Sequence, residues 1–300
     1  MYVITGATGK TGSVAAEKLI AAGAKVRVLG RNAKGLEGFA QKGAEAVVCD
    51  MTDAAAVEKA FSGAAGVHAL IPPNISAADV RAYQERVTDN MAAAIKNNRI
   101  PYVVFVSSTG ADKSYGTGPV LGLYSMEKKL EPIEGLNLIS LRCGYFMENL
   151  LAQIGIIQSF GFMAGPVRAD VPLPMIATKD IGEVAADLLL KSDFKGKQTR
   201  ELLGPRHVTY TETTGIVGAA IGKPDLSYRL APAAILKPAM MQMGMSSSMV
   251  DLMMEMCDAL NTGHMHSQEP RSASNTTSTT LETFVAQVFA PAYRAKAAGA

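Results

Sequence analysis

Tryptophan is absent, aromatic residues make up only 6% of the chain, and the cysteines number three: Cys49, Cys143 and Cys257. An odd count, widely spaced, with no CxxC and no Cys/His tether, excludes a disulfide-built scaffold and a structural zinc site; no metal is expected. This usage fits a reducing, cytoplasmic setting. Charge of one sign is lacking too. The 29 Lys and Arg stand against 27 Asp and Glu, so a net charge of +2 offers no overall field to nucleic acid or an anionic membrane. The longest uncharged stretch, Asn149 to Val167, is cut by an Asn, two Gln, three Gly and a Pro, which makes a poor membrane span. The first residues read as a strand entering a glycine loop, not as a charged leader with an apolar core. What the 300 residues do contain, 48% hydrophobic against 19% charged, suffices for a main core and a subsidiary one.

Short β-rich runs (Tyr2 to Thr5, Lys25 to Leu29, Ala46 to Cys49, Val67 to Ile71, Tyr102 to Val106, Asn137 to Leu141) alternate with amphipathic helical segments. Val80, Tyr83, Val87, Met91 and Ile95 share one helical face; Val57, Ala60 and Phe61 mark a shorter helix that Thr52 or Asp53 caps. Such alternation implies right-handed crossovers and an α/β, Rossmann-like doubly wound parallel sheet. After Arg142 the regularity weakens: 161–174 reads as loop, and the Ile181, Val184, Ala185, Leu188, Leu189 stripe behind Thr178 reads as a helix returning to the sheet. The expected organisation is a dinucleotide-binding domain over 1–150, joined by 175–203, with a smaller, mainly helical substrate domain from 151–174 and 204–300. The latter ends in a helix after Thr279, which has capping-box spacing to Glu282.

The strongest motif is Thr5-Gly6-Ala7-Thr8-Gly9-Lys10-Thr11-Gly12, between an apolar strand and the Val14, Leu19, Ile20 helix. Glycines at 6, 9 and 12 allow a tight turn, close approach to a pyrophosphate and close helix–strand packing, and the helix start supplies N–H donors to the anion. Gly6, Thr8, Gly9, Lys10, Thr11 and Gly12 are therefore cofactor candidates. A P-loop would need glycine at position 4, which is Ile4 within the strand. The second strand ends in Arg31 with no acid, favouring NADP(H), and NADPH over NADH, because a guanidinium clamps a 2′-phosphate where a carboxylate would repel it. Asp50, ending the third strand, is suited to the adenine amino group or, equally, to a helix-capping turn.

These residues, with Val106-Ser107-Ser108-Thr109-Gly110, Leu141-Arg142-Cys143-Gly144-Tyr145-Phe146-Met147-Glu148-Asn149 and Thr178-Lys179-Asp180-Ile181-Gly182, resemble the NmrA-like branch of the atypical short-chain dehydrogenase/reductases over nearly the whole chain. The resemblance implies NADP(H) in a cleft between the two domains. It also implies one of two activities: hydride transfer to a conjugated hydrophobic acceptor of quinone, azo or triphenylmethane type, or non-enzymatic sensing of the nicotinamide pool through protein partners. A nucleotide-sugar epimerase would share the first domain, but the second half carries no nucleotide-sugar motif.

Tyr124-Ser125-Met126-Glu127-Lys128 fits the short-chain dehydrogenase YxxxK, in which Tyr124 would donate a proton, Lys128 would lower its pKa, and Ser108 would orient the substrate. An ordinary helix face is the competing reading. Gly144, Tyr145 and Phe146 follow the sixth strand, and Leu70, Ile71 and Pro72 end the fourth, at the edge where open α/β sheets bind ligands. Met241, Met245, Met249 and Met253 recur every four residues within 240–256 and predict one helix whose stripe lines an acceptor pocket, packs a core or forms a homodimer face. His264 and His266 are placed as loop residues near the pocket. The expected partner is a small hydrophobic or aromatic substrate.

Overall fold

The computed structural model describes residues 1–298. Its first half alternates as the period of the sequence requires: β1 (Tyr2–Ile4), α1 (Lys10–Ala21), β2 (Val26–Gly30), α2 (Glu37–Gln41), β3 (Glu45–Val48), α3 (Ala54–Phe61), β4 (Gly66–Ala69), α4 (Val80–Asn97), β5 (Tyr102–Ser108), α5 (Leu121–Leu130) and β6 (Asn137–Cys143). There follow β7 (Tyr145–Phe146), α6 (Gln153–Phe160), β8 (Met163–Gly165), β9 (Met175–Ile176), α7 (Thr178–Lys191) and β10 (Lys197–Leu202). The C-terminal part holds α8 (Tyr210–Ile221), β11 (Tyr228–Leu230), α9 (Ala233–Gln242), α10 (Ser247–Thr262), α11 (Leu281–Phe284) and α12 (Ala290–Ala298). The last two residues of the expected 204–300 segment lie outside the described residues.

Seven strands form one parallel sheet in the order β10-β6-β5-β4-β1-β2-β3. The chain builds outward from β1 to β3, then returns to place β4 beside β1, so the direction of winding reverses there. That reversal opens a crevice at the strands' carboxyl ends. Alternate residues of β5 serve opposite layers. Val103 and Phe105 join Phe61, Met91 and Met126 beneath α3, α4 and α5. Val104 and Val106 join Leu19, Ile181 and Leu189 beneath α1 and α7. With α7 packed on α1 and β10 paired to β6, residues 178–202 lie on the main sheet.

A third core, including Met147, Ile157, Met175, Val217, Phe284 and Phe289, holds the C-terminal helices together. Two acids of the motifs join this part to the sheet. Glu148 accepts from Thr178 N–H (3.0 Å) and Oγ1 (2.6 Å) at the start of α7, and Asp180 accepts from Thr279 N–H (3.1 Å) and Oγ1 (2.6 Å).

Two local expectations shift. Asp53, not Thr52, caps α3 through Ala55 and Ala56 N–H. Thr280, not Thr279, caps α11, because the Thr279 hydroxyl is engaged by Asp180. A larger correction concerns the methionines: the single helix expected over 240–256 is two. Gly244 takes φ +90°, and Ser246 Oγ accepts from Met249 N–H (3.1 Å) to start α10. The repeat is thereby divided: Met241 falls in α9, Met245 in the turn, and Met249 and Met253 in α10.

Candidate active site

At the crevice, β1 turns into α1 through Gly6, whose φ is +64°, and Gly9 N–H closes the turn on the Gly6 carbonyl at 2.8 Å. Gly12 packs so close beneath this turn that a Cβ there would run into the Gly6 carbonyl oxygen. No side chain caps α1 and no acid lies in its first turn, so the N–H groups at its start remain available to an anion. Gly6, Thr8, Gly9, Arg31, Leu70 and Pro72 line a groove of about 230 Å³ alongside. Lys10, Thr11 and Gly12 occupy the first helical turn rather than the groove wall.

Arg31 is exposed at the groove and makes no ion pair among the described residues. Asp50 is absent from the groove wall. Its Oδ1 accepts from Thr52 N–H (2.9 Å) and Oγ1 (2.8 Å), and these bonds hold its carboxyl below the usual range. The helix-capping role expected of Asp50 falls to Asp53, and Asp50 fastens the turn that precedes α3. This donor set, glycines that bring backbone close, an uncapped helix start and an unpaired guanidinium, suits the phosphates of a dinucleotide.

Leu70, Pro72 and Pro73 are shared between this groove and a larger cavity of about 390 Å³. Ile71, Ser108, Gly144, Tyr145 and Phe146 line the cavity from the sheet side. A Cβ on Gly144 would meet the Pro174 carbonyl oxygen, so this glycine is demanded by the passage of residue 174 as well as by the cavity. From the other side α10 contributes Met249, Met256 and Leu260, and the following loop adds Met265 and His266. Met241 and Met243 are exposed, at 51% and 68%, and take no part. No Asp, Glu, Lys or Arg lines the cavity. His266 Nδ1 lies 2.8 Å from the Gly263 carbonyl, and His264 Nε2 lies 3.0 Å from that of Tyr115, so both rings serve the loop; only His266 reaches the cavity wall. Among the described residues no group of three His, Cys, Asp or Glu could hold a metal ion, and no helix is long and apolar enough to cross a membrane.

Of the YxxxK set, Ser108 is on the cavity wall, whereas Tyr124 and Lys128 are not. Lys128 is exposed and paired with Glu131 at 3.0 Å, with its Nζ 6.0 Å from the Tyr124 ring centre. The inward stripe of α5 is Leu123, Met126, Glu127 and Leu130, at i, i+3, i+4 and i+7. Glu127, unremarked inside the motif, is buried at 8% exposure. It accepts from Ser107 Oγ (2.6 Å) and, bidentately, from Arg142 Nε (3.1 Å) and Nη2 (2.6 Å). With Ser107, which is on the cavity wall, this pair ties α5 to the carboxyl ends of β5 and β6. The legible signal was the helical stripe, with an acid in it opposite an arginine on an inner strand.

The Oη of Tyr145, a wall residue, lies 3.0 Å from Tyr210 Oη. The Tyr210 ring stacks on Tyr228 at 4.4 Å and 17°, and the Tyr228 hydroxyl donates to the Val167 carbonyl at 2.6 Å. Burial pushes the phenols of Tyr145 and Tyr210 above the ordinary tyrosine range. Cys143, also on the wall, is buried and its thiol is raised far from the thiolate range, which makes it a packing residue.

The same architecture occurs in solved structures. The Escherichia coli NADPH-dependent quinone oxidoreductase, complexed with NADPH, is 23% identical, with a TM-score of 0.79 over 96% of this chain and 100% of its own. The Citrobacter sp. triphenylmethane reductase, complexed with NADP(H), is 18% identical, with a TM-score of 0.78 over 95% and 99%. A Staphylococcus aureus protein described as a nucleoside-diphosphate-sugar epimerase is 18% identical, with a TM-score of 0.77 over 95% and 99%. At such identities these likenesses are of fold. Among curated proteins none matches the sequence significantly. A sequence model of the NmrA-like family, however, runs from residue 2 to 285, through the glycine loop, the Glu148–Thr178 and Asp180 joints and the helices that close the cavity, and the chain therefore belongs to the NmrA-like family.

Proposed function

We propose that this protein is an NADPH-dependent oxidoreductase that reduces a neutral, hydrophobic, conjugated acceptor, with quinones the leading class. The observation that carries the reading is the continuity of two unlike compartments. A groove flanked by the glycine turn and Arg31 runs along Leu70, Pro72 and Pro73 into a cavity of about 390 Å³ whose wall carries no Asp, Glu, Lys or Arg. That volume is the size of a small-molecule site. The quinone and triphenylmethane reductases of the same fold are described as NADPH or NADP(H) enzymes, which supports the cofactor and the reaction class. A nucleoside diphosphate sugar would bring a diphosphate to a wall that has no Lys or Arg to meet it.

In this reading the uncapped start of α1 and the glycine turn hold the cofactor's diphosphate, and Arg31 holds the 2′-phosphate. Bound there, reduced nicotinamide supplies the hydride. The chain's own contribution is positioning and exclusion of water. The Glu127–Arg142 pair fixes the ends of β5 and β6, Phe146 and Pro72 provide flat apolar surfaces, and Met249, Met256 and Met265 close over the acceptor with side chains that adapt to its shape. The decisive experiment is an NADPH-oxidation screen over quinones, azo dyes and triphenylmethane dyes. Acceptor-dependent oxidation by one of these classes is expected. Tight NADPH binding with no acceptor-dependent oxidation would instead leave the regulatory, cofactor-sensing reading.

A further inference from the structure

The cavity wall is mostly apolar but includes several hydrogen-bonding side chains, and one of these is held in an arrangement that decides where its proton points. Tyr145, two residues past the end of β6, lines the cavity and is half-buried. Tyr210, behind it, is 5% exposed and does not reach the wall. Among the described residues the Tyr210 hydroxyl has one hydrogen-bond partner, Tyr145 Oη, because the neighbouring Tyr228 has its own bond to Val167.

Two hydroxyls at 3.0 Å share one hydrogen. If Tyr145 donated it, the proton of Tyr210 would be left buried with no acceptor, which folded proteins avoid. Tyr210 therefore donates to Tyr145. With its oxygen accepting from Tyr210 and no other hydrogen-bond partner among the described residues, Tyr145 has its own O–H free for the cavity it lines. Burial keeps that phenol protonated through the neutral range, so it stays a donor.

We propose that Tyr145 is a catalytic residue whose O–H donates a hydrogen bond to the carbonyl oxygen of a quinone-class ligand in the cavity, and that Tyr210 is the positioning residue that aims this proton. The proposal rests on the acceptor class argued above. It adds what selects a carbonyl compound from among flat apolar molecules: a donor whose proton is aimed by a buried neighbour, on a wall that is mostly apolar. As reduction loads negative charge onto that oxygen, the same donor stabilises it.

The test uses the full chain without cofactor, naphthoquinone as the probe and naphthalene as a ligand of the same ring system lacking the carbonyls. In the wild type the infrared carbonyl stretch of bound naphthoquinone should lie below its value in hydrocarbon solvent, and in Tyr145→Phe it should return to that value. The dissociation constant for naphthoquinone should rise about 2- to 12-fold in Tyr145→Phe, the worth of one neutral hydrogen bond, while that for naphthalene stays unchanged. In Tyr210→Phe, with the Tyr145 oxygen no longer polarised from behind, the stretch should fall between the two. The same stretch in wild type and Tyr145→Phe, or equal weakening of both ligands, overturns the assignment of the donor. A wild-type stretch in Tyr210→Phe overturns the positioning role. Wild-type protein that binds naphthalene but not naphthoquinone overturns the quinone reading itself, and Tyr145's role with it. With the cofactor bound, kcat for the quinone should fall on the order of 10²- to 10³-fold in Tyr145→Phe, the usual cost of losing one donor to a developing oxyanion.

Discussion

Acidification should weaken this fold through a single buried side chain. His68 lies in the middle of β4, paired in register with Ile4 and Val104, and is completely buried. Neither ring nitrogen has a hydrogen-bond partner among the described residues. Burial pushes the imidazole from 6.5 down to about 4, because the charged form cannot be solvated there. Between these pH values the unfolded chain binds the proton and the folded chain does not, so stability rises with pH across the window and falls on acidification. The contribution is intact above about pH 6.5 and lost progressively toward pH 4, a total of about 3 kcal/mol at 1.36 kcal/mol per pH unit. The perturbation is His68→Leu, which removes the titrating group and keeps an apolar side chain of similar reach in the sheet. Urea unfolding of both proteins at pH 7, 5.5 and 4.5 gives the stability difference at each pH. That difference should move in favour of the leucine variant as pH falls, by about 2 to 3 kcal/mol over this range. A difference that stays constant within about 0.5 kcal/mol would refute the claim that His68 is neutral in the folded state.

Arg31→Ala should weaken NADPH binding by about 1.5 to 3 kcal/mol, roughly 10- to 100-fold, and leave NADH binding nearly unchanged; fluorescence titration with both cofactors checks this, and equal losses would remove Arg31 from the 2′-phosphate. Tyr124→Phe should change acceptor reduction by less than about twofold, since its side chain lies off the cavity, whereas a loss of 10²-fold or more would restore it as a general acid. Glu127→Ala should cost about 3 to 5 kcal/mol in thermal or urea unfolding, because it strands the largely buried Arg142 guanidinium at the end of β6; a loss under about 1 kcal/mol would mean that solvent replaces the pair. Met249→Ala should raise KM for bulky acceptors without altering the NADPH dissociation constant, and Met241→Ala, on an exposed helix face, should alter neither.

What was legible in the sequence was what short-range physics dictates. The parallel sheet could be read because β-rich runs and 3.6-period stripes are properties of neighbouring residues, and the glycine turn because a strand, three glycines and a helix start are contiguous. Other local signals were present and outweighed: Gly244 and Ser246 mark a helix end and a helix start, yet the four-residue methionine spacing suggested one continuous helix. Side-chain direction was not legible. Tyr124 and Lys128 match a motif by spacing, but a rotation of about 100° per residue turns Glu127 inward and leaves Lys128 in solvent, and only packing against β5 and β6 selects that rotation. The aim of Tyr145 depends on a hydroxyl 65 residues away, and the apolar character of the cavity depends on α10 closing over the sheet. Sequence alone determined the elements and the glycine turn between β1 and α1, which arise from local backbone preference. Tertiary structure decided which side chains face the acceptor, because that follows from which surfaces are buried together.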